Sequence, residues 1–88
     1  MMGASVSRLF VCNLPFSATE AELREFVAQV GGEIVDCRIL VDRYTGRSRG
    51  CGFVELRSED EALRALAALD GALLGGRPIR IEPARERR

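Results

Sequence analysis

Arginines, cysteines and two phenylalanines in strand-like surroundings are the side chains of this 88-residue sequence whose chemistry reaches beyond packing. The three cysteines, Cys12, Cys37 and Cys51, are odd in number and widely spaced, with no Cys-x-x-Cys among them. The chain has no histidine, so zinc-site spacing is absent and the commonest general base is missing. No catalytic group, metal or cofactor is expected. All 13 basic residues are arginine, which grips phosphate through paired N–H groups and stacks on planar rings, as lysine does not. The formal net charge is zero, so any attraction to a polyanion rests on where the arginines lie.

The phenylalanines are positioned by alternating segments. Residues 8–14, RLFVCNL, form a first strand that Pro15 ends. Leu23, Phe26, Val27 and Val30 make one apolar stripe and predict a helix over 19–30, opened by a capping box of Thr19 with Glu22 or of Ser17 with Glu20. Gly31-Gly32 stops it. Residues 34–41, IVDCRILV, form a second strand, and Gly46 sits where the following polar loop needs a tight turn. Residues 51–56, CGFVEL, form a third strand. A capping box of Ser58 with Glu61 opens a helix over 58–70 with Ala62, Leu66 and Leu69 inward, and PIRIEP supplies a fourth strand with Ile79 and Ile81 on one face.

The resulting order is βαββαβ: an α+β, ferredoxin-like sandwich, a four-stranded antiparallel sheet with two helices packed on one face. Residues 7–84 are expected to form one domain, with flexible termini at 1–6 and 85–88. No apolar run approaches the ~20 residues of a membrane span. The start MMGASVSR has neither the basic residues nor the apolar stretch of a secretory signal. An intracellular monomer, cytoplasmic or nuclear, is expected, with free thiols and Cys37 buried.

Strand side chains alternate. With Leu9 and Val11 turned to the helices, Phe10 and Cys12 face the open side. With Gly50, Gly52, Val54 and Leu56 turned inward, Arg49, Cys51, Phe53 and Glu55 face outward. Burying Phe10 and Phe53 instead would slip both strands by one residue and put Leu9, Val11 and Val54 in water. Arg38 and Leu40 belong to the same outer face on the second strand, and Arg80 and Glu82 on the fourth. Arg43 and Arg47 lie in the loop between the second and third strands. The two helical spans carry seven acidic residues against two arginines, which predicts acidic helices behind a basic sheet face.

LFVCNL on the first strand and RGCGFVEL on the third resemble the signature hexamer and octamer of the RNA recognition motif, and the likeness extends over roughly residues 7–84, through DRYTGRSRGCGFV and DGALLGGRPIRIEPA. The resemblance implies binding of single-stranded RNA on the open face, with single-stranded DNA possible, and a role in RNA processing, stability or translation. It makes Phe10 and Phe53 base-stacking residues, assigns Arg49 to a phosphate, and gives Asn13 a part in shaping the turn into the first helix. Gly50 and Gly52 are expected to admit close packing of a helix on the sheet.

The chain departs from the family at Cys51, where the octamer's third residue is usually aromatic. Two stacking rings remain, and losing one removes on the order of 1–3 kcal/mol, so binding of roughly micromolar strength is expected. Two other functions on this fold fit less well. The peptide-binding variant of the family carries Arg-x-Phe where this chain has Arg77-Pro78-Ile79. Acylphosphatases need an anion-binding loop with Arg and Asn, and metal-binding chaperones need Cys-x-x-Cys; the segment NLPFSA offers neither.

Overall fold

The computed structural model describes residues 7–84. The termini expected to be flexible, 1–6 and 85–88, lie outside the described residues. Strand β1 (Arg8–Cys12), helix α1 (Glu20–Ala28), strands β2 (Ile34–Val41) and β3 (Ser48–Leu56), helix α2 (Glu59–Leu69), a two-residue hairpin of β4 (Leu73–Leu74) and β5 (Arg77–Pro78), and strand β6 (Arg80–Pro83) follow in order. The main sheet runs β2-β3-β1-β6, antiparallel throughout, with both helices on one face. This is the expected βαββαβ sandwich; the small hairpin is an addition to it. Pro78 belongs to that hairpin, so the fourth strand starts two residues later than its sequence suggests.

Strand alternation sorts the core from the open face. Leu9, Val11, Val54, Leu56, Ile79 and Ile81 point to the helices and are buried against Leu23, Phe26, Val27, Ala62, Ala65 and Leu69. Cys37 joins them from β2, at 3% exposure. Burying each large apolar side chain stabilises the fold by roughly 1.5–3 kcal/mol, an upper bound because the unfolded chain already hides some of that area.

Helix α1 begins with the complete capping box expected of Thr19. Its hydroxyl accepts from the Glu22 N–H at 3.1 Å, and the Glu22 carboxylate accepts from the Thr19 N–H at 3.0 Å. Helix α2 has only half of its box. Ser58 Oγ accepts from the Glu61 N–H at 3.2 Å, but the Glu61 carboxylate accepts from the Glu33 N–H at 2.9 Å instead of turning back to Ser58. The cause is tertiary: Arg57 N–H donates to the Glu33 carbonyl at 3.0 Å, which brings the backbone of the α1–β2 turn within reach of Glu61.

The two glycines of the octamer do not serve helix packing as expected. A Cβ on Gly52 would run into the carbonyl oxygen of Arg38 on β2, and one on Gly50 would meet the Phe16 ring at 3.3 Å and the Leu14 carbonyl at 3.4 Å. Both glycines let backbone approach backbone within the sheet and its edge loop. Gly50 also has φ +80°, where it leaves the regular ladder and accepts the Leu14 N–H at 2.9 Å.

Candidate nucleic-acid interface

The register of the sheet arranges the outward side chains in rows. Phe10 is directly opposite Phe53, with Arg38 on the far side of Phe53 and Glu82 on the far side of Phe10. The ring centroids are 5.2 Å apart and the planes tilted by 46°, an arrangement of two adjoining apolar surfaces. One row along, Cys12 is opposite Cys51, with Arg80 beside Cys12. On the other side Arg8 is opposite Glu55, and Asp36 flanks Glu55 from β2. Phe10, Cys12, Cys51, Phe53, Glu55 and Leu40 are half-buried, while Arg38, Arg49, Arg80 and Glu82 are exposed. The strand residues singled out in the sequence therefore share one face, with the helices behind it, except Arg49, which lies exposed beyond the interruption of the ladder at Gly50 and outside these rows.

Arg8 was not among them. Its guanidinium donates to Glu55 at 3.3 Å and lies 5.9 Å from the centre of the Phe53 ring, a cation–π contact on one ring of the Phe10–Phe53 pair. Asp36, also overlooked, pairs loosely with Arg38 at 3.8 Å. Together Arg8, Asp36, Arg38, Leu40, Phe53 and Glu55 line a depression of about 370 Å³. Period-two alternation back from Phe10 and from Arg38 was the available signal for both.

These residues correct the expectation of a basic face. In the register rows three arginines (Arg8, Arg38, Arg80) share the open side with three carboxylates (Asp36, Glu55, Glu82), so the sheet is close to neutral. Two of those arginines are already engaged by carboxylates. The carboxylates fall there because outward positions repeat every second residue whatever their charge.

Further positive charge comes from the β2–β3 loop, which Asp42 organises. Its carboxylate accepts from the Tyr44 N–H at 2.7 Å and the Thr45 N–H at 3.0 Å, and its backbone pairs with Arg47 and Gly46. The bonds from Thr45 and then Tyr44 hold the Asp42 carboxyl below the ordinary aspartate range. Arg43 and Arg47 sit exposed on this turn, as does Tyr44 at 89% exposure. Phe16, in the β1–α1 loop, is 73% exposed and lines a second cleft with Arg47 and Ser48. Nothing in its sequence context marks it.

Asn13 has the structural part expected of it. At φ +66° it turns the chain out of β1, its amide donates to the Pro78 carbonyl at 2.7 Å, and Arg77 donates to its side-chain oxygen at 2.6 Å and its carbonyl at 3.2 Å. Among the described residues no cluster of His, Cys, Asp or Glu is suited to a metal ion, and no helix is long and apolar enough to cross a membrane.

Comparison with known proteins decides the family. The model of the RNA recognition motif matches residues 9–80. This chain belongs to the RNA recognition motif family. The family is one of RNA-binding domains, not of enzymes. Among similar curated proteins, the glycine-rich RNA-binding protein 2, mitochondrial, of Arabidopsis thaliana is 43% identical over 81 residues, covering 92% of this chain and 51% of that protein. The 28 kDa ribonucleoprotein, chloroplastic, of Spinacia oleracea is 45% identical over 80 residues, covering 91% of this chain and 34% of that protein. The chain thus spans about half of one of these relatives and about a third of the other. Among solved structures, the RNA-binding protein PG1 superposes with a TM-score of 0.85 at 36% identity over 93% of this chain and 98% of that one. In this RNA recognition motif the open face carries two rings where the octamer's usual aromatic is Cys51.

Proposed function

We propose that this domain binds short single-stranded RNA across β1 and β3, with successive bases stacked on Phe10 and Phe53. The observation that carries the reading is the directly opposed pair itself, two half-exposed rings 5.2 Å apart on the side of the sheet away from the helices. Each stacked base contributes roughly 1–3 kcal/mol. Around the rings, Arg38, Arg49 and Arg80 supply phosphate contacts, and Arg43 and Arg47 close over the strand from the β2–β3 loop. Cys12, Leu40, Cys51, Glu55 and Glu82 frame the bases. Because the face is nearly neutral, affinity leans on stacking, and a modest salt dependence follows.

The same surface accepts single-stranded DNA less well to the extent that a carboxylate or backbone group reads the 2′-hydroxyl. Residues 7–84 act as a monomeric domain within RNA processing, stability or translation, in an intracellular compartment. Mitochondria and chloroplasts join the cytoplasm and nucleus as settings, since similar proteins are described as organellar.

The deciding experiment is a fluorescence-anisotropy titration of a labelled short RNA of mixed sequence against the wild type and Phe10→Ala/Phe53→Ala. Losing both rings should weaken binding by roughly tenfold or more. Equal affinity in a folded double variant would remove the stacking model.

A further inference from the structure

Cys12 and Cys51, far apart in sequence, are direct partners across β1 and β3, both free and both half-buried on the open face. The kind of partnership matters. The Leu56 N–H donates to the Ser7 carbonyl at 2.8 Å, which makes Ser7 and Leu56 a hydrogen-bonded pair at the start of this ladder. Hydrogen-bonded and non-hydrogen-bonded pairs alternate along antiparallel strands. Arg8–Glu55, Phe10–Phe53 and Cys12–Cys51 are therefore the non-hydrogen-bonded pairs, whose Cα atoms approach to about 4.5 Å and whose side chains lie closest. A disulfide needs Cα atoms about 4.4–6.8 Å apart and Cβ atoms about 3.5–4.5 Å apart. A regular ladder puts such a pair at the short end of that range, where a bond forms with little backbone movement and remains easy to reduce.

Two further observations agree. Burial and, next, the neighbouring Cys51 thiol push Cys12 up to about 11, which marks the two sulfurs as neighbours and also keeps the attacking thiolate scarce, so exchange at neutral pH is slow. Cys37 sits on the opposite side of the sheet, buried, with its thiol directed at the Glu20 carbonyl at 3.8 Å, and has no cysteine partner.

We propose that Cys12 and Cys51 are a reversible oxidation site, closed into a cross-strand disulfide by exchange with low-molecular-weight disulfides of the glutathione type. One protein thiolate attacks a sulfur of oxidised glutathione; that S–S bond breaks and one glutathione leaves as thiolate, taking up a proton. The second protein thiol gives its proton to solvent and displaces the other glutathione from the mixed disulfide. Two protein thiols are oxidised by two electrons, and one oxidised glutathione becomes two reduced ones. The bond crosses the face one row from Phe10 and Phe53. On the RNA-binding reading proposed above, a bound strand covers the pair and shields it; the disulfide itself does not depend on that reading.

The test incubates the whole chain in buffers of stepped oxidised-to-reduced glutathione ratio, followed by acid quench, alkylation and mass spectrometry. Expected is a monomer lighter by two hydrogens, with tryptic peptides 9–24 and 50–57 linked, restored by reduced glutathione, and with Cys37 alkylated only after unfolding. Cys51→Ser should stop at a glutathione adduct on Cys12. The proposal is overturned if no such species forms at any ratio, if the link involves Cys37, if the bond is intermolecular, or if Cys51→Ser still crosslinks. Repeating the oxidation with saturating short RNA, its binding verified by anisotropy, should slow closure at least severalfold. Unchanged kinetics with RNA bound overturns only the shielding, while absence of RNA binding overturns the functional reading and leaves the disulfide standing.

Discussion

Arg8 holds its guanidinium 5.9 Å from the centre of the Phe53 ring while donating to Glu55 at 3.3 Å. The contact occupies one ring of the proposed base-stacking pair in the free protein, and the guanidinium is tied by a carboxylate that repels phosphate. Removing each partner should therefore have opposite effects on RNA. Arg8→Ala should weaken binding a few fold and lower the slope of log affinity against log salt by about 0.7, one phosphate contact to a single strand. Glu55→Gln should tighten binding by a similar factor. The pair is half-exposed, so neither change should alter stability by more than about 1 kcal/mol. Titrations at two or more salt concentrations read all of this, and wild-type binding with an unchanged slope in Arg8→Ala would mean the arginine stays with Glu55 in the complex.

Gly52 is a point where the sheet tolerates no side chain. A Cβ there would meet the Arg38 carbonyl oxygen, part of the backbone of β2, which cannot step aside without breaking the ladder. Gly52→Ala should cost about 3 kcal/mol, lowering Tm by roughly 15 °C in a domain of this size. Gly46→Ala is the control. Gly46 has φ +73° with nothing near its missing Cβ, so only backbone strain of about 1 kcal/mol applies. Thermal unfolding by circular dichroism separates them, and equal Tm losses would show that crowding at Gly52 is relieved by strand movement.

What could be foreseen from sequence followed how local its physics is. Period-two alternation placed Phe10, Phe53 and their outward companions correctly because a core of Leu9, Val11, Val54 and Leu56 leaves one register. The Thr19 cap was legible because both partners lie within one turn. Distant partnerships were not. Glu61 was drawn from its cap by Glu33, Gly52 was crowded by Arg38, and Cys12 met Cys51, each across elements distant in the chain. The basic face failed because charge was summed over the helices alone, whereas plain alternation also sets Asp36 two residues before Arg38, and Glu55 and Glu82 two residues after Phe53 and Arg80, on the same open side.

The β2–β3 loop should report acidification locally. Hydrogen bonds from the Thr45 and Tyr44 backbone depress the folded value of Asp42, so its contribution to loop order is complete above the ordinary aspartate range and is lost as pH falls through that depressed value. In an NMR titration the amides of Tyr44 and Thr45 should move with a single midpoint below that of an unpaired aspartate. Asp42→Asn should remove the transition and loosen the turn carrying Arg43 and Arg47. A midpoint at or above the ordinary range would show that these bonds are not kept in solution.

Ser58 and Glu61 look like one capping unit in sequence, but they stabilise different places. Ser58 Oγ satisfies the Glu61 N–H at the start of α2, so Ser58→Ala should cost about 1 kcal/mol and fray that helix. The Glu61 carboxylate instead satisfies the Glu33 N–H at the entry to β2. Its removal in Glu61→Ala leaves that exposed donor to water, with an expected loss of about 1 kcal/mol. The distinction is spatial: hydrogen exchange should quicken at Glu33 in Glu61→Ala and at Glu61 in Ser58→Ala. A reciprocal capping box would instead make the Ser58 amide the one exposed in Glu61→Ala. Faster exchange at Ser58, with Glu33 unchanged, would therefore restore the box and remove the link between α2 and the α1–β2 turn.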